Sequence, residues 1–142
     1  MLSIDTNILF AALEATAPFH ERARAFIESQ RDNESMVICE LVLVELYLLL
    51  RNPAVVTNPL SAGVAGRLIQ ALRQNPQWRL VEYAPVMDTV WEHASRDPFA
   101  RRRIVDIRLA LTLRHHGVTE LATVNCPDFR NCGFDRVWNP LA

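Results

Sequence analysis

Short apolar runs alternate along the whole chain with longer stretches in which apolar positions recur at helical spacing. The opening residues, Met1 to Ile4, are mostly apolar and stop at Asp5, so a buried strand is predicted to end there and turn directly into a helix. That helix runs from Asp5 to about Ala15, with Ile8, Leu9 and Ala12 on one face. Pro18 suits the first turn of a second helix through His20, Ala23, Phe26 and Ile27. Met36 to Cys39 reads as a strand, and Glu40 to Arg51 as a helix stopped by Asn52-Pro53.

The pattern then repeats. Ser61 is placed to cap a helix through Val64, Leu68, Ile69 and Leu72 that ends near Asn75-Pro76. Arg79 to Tyr83 is the third predicted strand, and Val86 to about Ser95 another helix. Beyond Asp97-Pro98, a helix beginning near Ile104 passes through Leu109, Leu113 and His116 and stops at Gly117. Glu120 to Val124 is the fourth strand, Asn125 to Gly133 an exposed loop, and Phe134 to Trp138 a candidate last strand. Strands separated by helices of this length predict an α/β fold with a parallel sheet covered by helices. A length of 142 residues suits one domain, 1–142, with no repeat or linker inside it.

Composition narrows the chemistry mainly by exclusion. The net charge of −1 gives no global attraction to nucleic acid. The chain has no lysine, and all 15 basic residues are arginine, so a Walker A loop is ruled out. The glycines at 63, 66, 117 and 133 form no dinucleotide fingerprint. Cys39, Cys126 and Cys132 are an odd set that suggests reduced thiols, and with His115 and His116 they fit no usual zinc spacing. No signal peptide is expected ahead of the first strand, and the apolar stretch Leu41 to Leu50 is short and interrupted by Glu45, so a membrane span is not expected and a cytoplasmic protein is.

Against this background a few acids stand out. Asp5 lies where open α/β sheets bind ligands, just past a strand's carboxyl end. Glu45 has Leu41, Val42, Leu48 and Leu49 as its helical neighbours, which places it inside the predicted buried face. A carboxylate there needs an internal partner, a proton or a cation. Asp106, early in its helix, taken alone reads as complementing the helix N-terminus or pairing with Arg102 or Arg103, and joins Asp5 only as one of several acids converging on one edge. Asn125 and Asp128 follow the fourth strand and so belong to that edge too, although both residue types also suit turns. Acids gathered at one sheet edge would hold hard cations such as Mg²⁺ or Mn²⁺.

The segments Ile4-Asp5-Thr6-Asn7-Ile8-Leu9, Leu43-Val44-Glu45-Leu46, Ile104-Val105-Asp106-Ile107-Arg108-Leu109-Ala110 and Thr123-Val124-Asn125 with Asp128-Phe129, in that order, resemble the PIN domain. The similarity is greatest to the VapC-type ribonuclease toxins of bacterial toxin–antitoxin pairs, and it extends through Phe19 to Ala25 and the closing Arg136 to Pro140. The resemblance implies a PIN-like α/β/α sandwich around a short, mainly parallel sheet. It also implies Mg²⁺- or Mn²⁺-dependent endonucleolytic cleavage of RNA, inhibition by a VapB-like antitoxin, and a homodimer.

By the same resemblance, Asp5 and Asp106 match metal-binding acids, Glu45 a catalytic glutamate, and Asn125 a fourth position that is often Asp. Asp128, Thr6 and Asn7 are auxiliary candidates, and Arg101, Arg102, Arg103 and Arg108 are candidates to guide RNA. Two other functions compete. A haloacid-dehalogenase-type phosphatase would need a second Asp where Asn7 stands, and a lysine. A catalytically inactive PIN-like interaction module would be expected to have lost its acids, yet Asp5, Glu45 and Asp106 remain.

Overall fold

The computed structural model describes residues 1–142. Five strands form one wholly parallel sheet: β1 (Leu2–Ile4), β2 (Met36–Cys39), β3 (Arg79–Val81), β4 (Glu120–Ala122) and β5 (Arg136–Trp138). Their order across the sheet is β3-β2-β1-β4-β5. Seven helices connect them: α1 (Thr6–Leu13), α2 (His20–Ser29), α3 (Glu40–Leu50), α4 (Ala62–Arg73), α5 (Met87–Ala94), α6 (Arg103–His115) and α7 (Cys126–Phe129).

The strand order explains where a site can form. The chain steps outward from β1 to β2 to β3, then returns past β1 to place β4 and β5 on its other side. Right-handed crossovers made in opposite directions put their helices on opposite faces. Accordingly α1 packs on α2 and α3, and α3 on α4, while α5 and α7 pack on α6. The crossovers diverge between β1 and β4, and this topological switch point opens a crevice at the carboxyl ends of the strands.

The central strands are apolar because both their faces are covered. All of β2 is buried, and so are the three residues of β1. Ile4, Ile8, Leu43, Leu46, Leu113, Leu121 and Phe129 are among the largest side chains fully enclosed in the core around them. Gly117, at φ +85°, ends α6 in a conformation that disfavours any side chain bearing a Cβ.

The predicted alternation of strands and helices is present, with local differences. The strands are shorter than predicted: β1 stops at Ile4, with Asp5 as the cap of α1, and β3, β4 and β5 each lose residues at their ends. Helix α2 starts at His20, not at Pro18, because Phe19 adopts a left-handed conformation at φ 60° just before it. The stretch Asn125 to Gly133, expected as an exposed loop, contains α7, whose Cys126 and Phe129 are buried. Glu45 requires the main correction. It is exposed, as are Val44 and Leu48 beside it, so the apolar side of α3 continues past the core onto a pocket wall.

Candidate active site

At the switch point a pocket of about 380 Å³ opens over the carboxyl ends of the strands, and Asp5, Glu45, Asp106 and Asn125 all line it. They arrive from four elements: the end of β1, the middle of α3, the first turn of α6 and the residue after Val124 beyond β4. The β1–β4 register, with Ile4 opposite Ala122, brings Asp5 and the Thr123–Asn125 segment side by side.

Asp5 is 7% exposed and held by three donors. Its Oδ1 accepts the Thr6 backbone N–H at 2.7 Å. Its Oδ2 accepts the Thr123 hydroxyl at 2.7 Å and the Asn7 side-chain amide at 3.3 Å. Glu45 Oε2 accepts the Thr6 hydroxyl at 3.0 Å. Thr6 and Asn7, two of the three auxiliary candidates, therefore anchor the two acids nearest them. Thr123 had no signal in spacing or periodicity except that it is polar at the end of an apolar strand.

Desolvation dominates the electrostatics, and mutual repulsion adds to it. Burial pushes the Asp5 carboxyl above its ordinary range, and the Asp128 charge adds to the shift despite the three donors. Glu45 is raised by the apolar walls around it and then by Asp5. Asp106 is pushed up to about 6 by desolvation, then by Asp128, Asp5 and Glu45, with Arg103 opposing. None of these four acids forms an ion pair, whereas Arg73 meets Glu40, Arg31 meets Glu28 and His20 meets Glu21 elsewhere. The pairing of Asp106 with Arg102 or Arg103 considered from the sequence does not form.

The donor set suits a hard divalent cation, because every site acid offers carboxylate oxygen and none is neutralised by protein. The side chains share the pocket without closing on a point: no three acid, histidine or cysteine groups stand close enough to enclose an ion as placed. Asp128 lies on α7 and is half-buried; it acts on Asp5 and Asp106 through its charge.

The arginine candidates separate. Arg103 is half-buried and its Nη1 donates to the Asp128 carbonyl at 3.2 Å, which ties α6 to α7. Arg101 and Arg102 are exposed ahead of α6, and Arg108 is exposed on the pocket wall.

An acid-lined pocket at the switch point of a parallel α/β/α sandwich defines the class. The chain belongs to the PIN domain family, whose profile matches residues 2–131. It is 52% identical over 141 residues to Ribonuclease VapC24 of Mycobacterium tuberculosis, covering 99% of this chain and 97% of that protein. Among solved structures it is similar to the Sarcin-Ricin loop cleaving toxin VapC20 of M. tuberculosis, with a TM-score of 0.70 at 20% identity, covering 94% of this chain and 96% of that one. It is also similar to a chain of the structure of FitAB bound to a DNA fragment, with a TM-score of 0.64 at 19% identity, covering 100% and 96%. At these identities the structures speak for the fold alone.

Proposed function

We propose that this chain is a metal-dependent endoribonuclease, the toxin half of a toxin–antitoxin pair, acting in the cytoplasm. The observation that carries the reading is the set of unpaired carboxylates, Asp5, Glu45 and Asp106, on one pocket at the switch point. The 52% identity to a protein named a ribonuclease supports it across nearly the full chain.

In this reading Asp5 and Asp106 hold Mg²⁺ or Mn²⁺, with Asp128 near enough to add its charge. When bound, the ion supplies positive charge that offsets the acids' repulsion and polarises a phosphodiester. Glu45, reached by solvent and hydrogen-bonded only through Thr6, orients the attacking water and takes up its proton. A raised carboxyl suits that task, because a base titrating closer to neutrality holds a proton more readily. Asn125 bears no charge, so its amide can donate to a phosphate oxygen that a carboxylate would repel. Arg108, on the same pocket and outside any ion pair, is placed to meet a neighbouring phosphate, with Arg101 and Arg102 extending that path.

The antitoxin half of the proposal has a surface to act on. Val44, Leu48 and Val105 are 58%, 61% and 58% exposed, and all three line the acid pocket. An apolar partner segment laid across them would cover the acids as well. A VapB-like antitoxin is the partner proposed, and a homodimer the assembly. No helix is long and apolar enough to cross a membrane.

The deciding experiment measures cleavage of RNA with Mn²⁺, with EDTA and with Asp5→Asn. Cleavage should need the metal and fail in the variant. Undiminished cleavage by Asp5→Asn would overturn the assignment, and calorimetry showing no Asp5-dependent Mn²⁺ binding would favour an inert interaction module.

A further inference from the structure

Groups far apart in sequence meet at one buried hydroxyl. Thr123 follows β4 directly and is 0% exposed. Its Oγ1 donates to Asp5 Oδ2 at 2.7 Å, and it accepts from Asn7 Nδ2 at 3.3 Å and from the Asn125 backbone N–H at 3.0 Å. A hydroxyl has one proton to give and two lone pairs to offer, so this one is fully used. Asn7 closes the ring, since its Nδ2 also donates to Asp5 Oδ2 and its Oδ1 accepts the Val124 backbone N–H, both at 3.3 Å.

The consequence falls on Asp5. Its Oδ2 receives two donors, from Thr123 and Asn7, while Oδ1 receives only the Thr6 N–H. A carboxylate oxygen has roughly two acceptor positions, which leaves Oδ2 filled and Oδ1 with one free. Rotation of the carboxylate to present Oδ2 would break two hydrogen bonds in a site shielded from water, where an unmade bond is costly.

We propose that Thr123 is a positioning residue that, with Asn7, turns Asp5 so that only Oδ1 is offered to a divalent cation, and that ties the Asn125 segment to the same carboxylate. The inference rests on the reading of Asp5 as a cation ligand, and adds to it the oxygen used and the groups that select it. A threonine kept only for packing could be replaced by valine, which has the same shape. Here valine would leave Asp5 Oδ2, the Asn7 amide and the Asn125 N–H each short of a partner, with no change in volume.

The test is Mn²⁺ calorimetry on the metal-free full chain, with thermal melting and amide hydrogen exchange measured alongside. Thr123→Val should bind Mn²⁺ at least about tenfold more weakly, and Thr123→Ser should stay within about threefold of wild type, as expected for one hydrogen bond to a charged group. Exchange at Val124 and Asn125 should quicken in the valine variant and not in the serine one. A folded Thr123→Val that binds Mn²⁺ with wild-type affinity would overturn the proposal. Should that variant fail to fold, Asn7→Ala carries the test, and wild-type affinity there overturns it equally. Asp5→Asn separates the two levels: lost Mn²⁺ binding there with none lost in Thr123→Val defeats the positioning role alone, whereas intact binding in Asp5→Asn defeats the reading of Asp5 beneath it.

Discussion

Glu40 and Glu45 stand on the same helix and differ in what faces them. Glu40 opens α3 and meets the Arg73 guanidinium of α4, a paired acid that joins two helices. Glu45 opens into the pocket, with a single donor, Thr6, and with Asp5 as a like-charged neighbour. The first arrangement neutralises charge where the fold needs adhesion. The second assembles charge that the protein itself leaves uncompensated. An acid kept next to other acids destabilises the metal-free fold, and its retention points to something outside the chain that supplies the opposite charge.

The largest effect expected from breaking this contrast is at Asp5. Asp5→Asn keeps shape and most hydrogen bonding but removes the charge, and RNA cleavage with Mn²⁺ should fall by roughly 100-fold or more, since removing one group that stabilises developing charge costs that much. Glu45→Gln should follow, with a loss of about 100-fold in the cleavage rate, the scale of general-base catalysis. Glu40→Gln, one turn and a half away on the same helix, should leave cleavage unchanged. Equal losses at Glu40 and Glu45, measured as initial rates on one RNA, would erase the distinction between them.

The site's acids were legible in the sequence, and their surroundings less so. Asp5 and Asn125 share a pocket because the alternation of strands and helices already placed the strand ends on one edge, while Glu45 and Asp106 reach the same pocket from α3 and α6. Glu45 is exposed where the sequence pattern predicts burial, because apolar neighbours at helical spacing look alike in sequence whether they face the core or an open pocket. Helix α7 escaped because four residues containing Pro127 carry no periodicity. Thr123 escaped for a different reason: its partners are set by the register of β1 against β4, which no local pattern encodes. The short turn of left-handed Phe19 ahead of α2 was invisible in the same way.

Asp106 sharpens the comparison through stability. Its folded carboxyl titrates at about 6 against an ordinary 3.8, so the folded state holds the proton more tightly than the unfolded chain does. Its contribution to stability is therefore fully present below about 3.8 and is lost as pH rises through about 6. In EDTA, Asp106→Asn should be more stable than wild type at pH 7.5 by about 1–2 kcal/mol once solvent screening is allowed for, and so melt at a higher temperature. The advantage should shrink at pH 5. Added Mn²⁺ should reverse the order, since only the wild type keeps its full affinity for the ion and ligand binding stabilises the folded state by mass action. Melting curves at two pH values, with and without Mn²⁺, test both signs, and a variant less stable than wild type in EDTA at pH 7.5 would contradict the repulsion.

The smallest effect belongs to the paired acid. Glu40 and Arg73 are both partly shielded, at 25% and 32% side-chain exposure, and a pair of that kind contributes about 0.5–1 kcal/mol. Glu40→Gln should lower the melting temperature by about 1–4 °C for a chain of this size, in EDTA and in Mn²⁺ alike. That independence from metal is the sharper half of the prediction. Asp106→Asn and Glu40→Gln should shift stability in opposite directions without metal, and Mn²⁺ should change the sign of the first only. If Mn²⁺ altered the Glu40 effect as well, charge on α3 would be coupled along the helix, and Glu40 would belong electrostatically to the pocket despite its arginine.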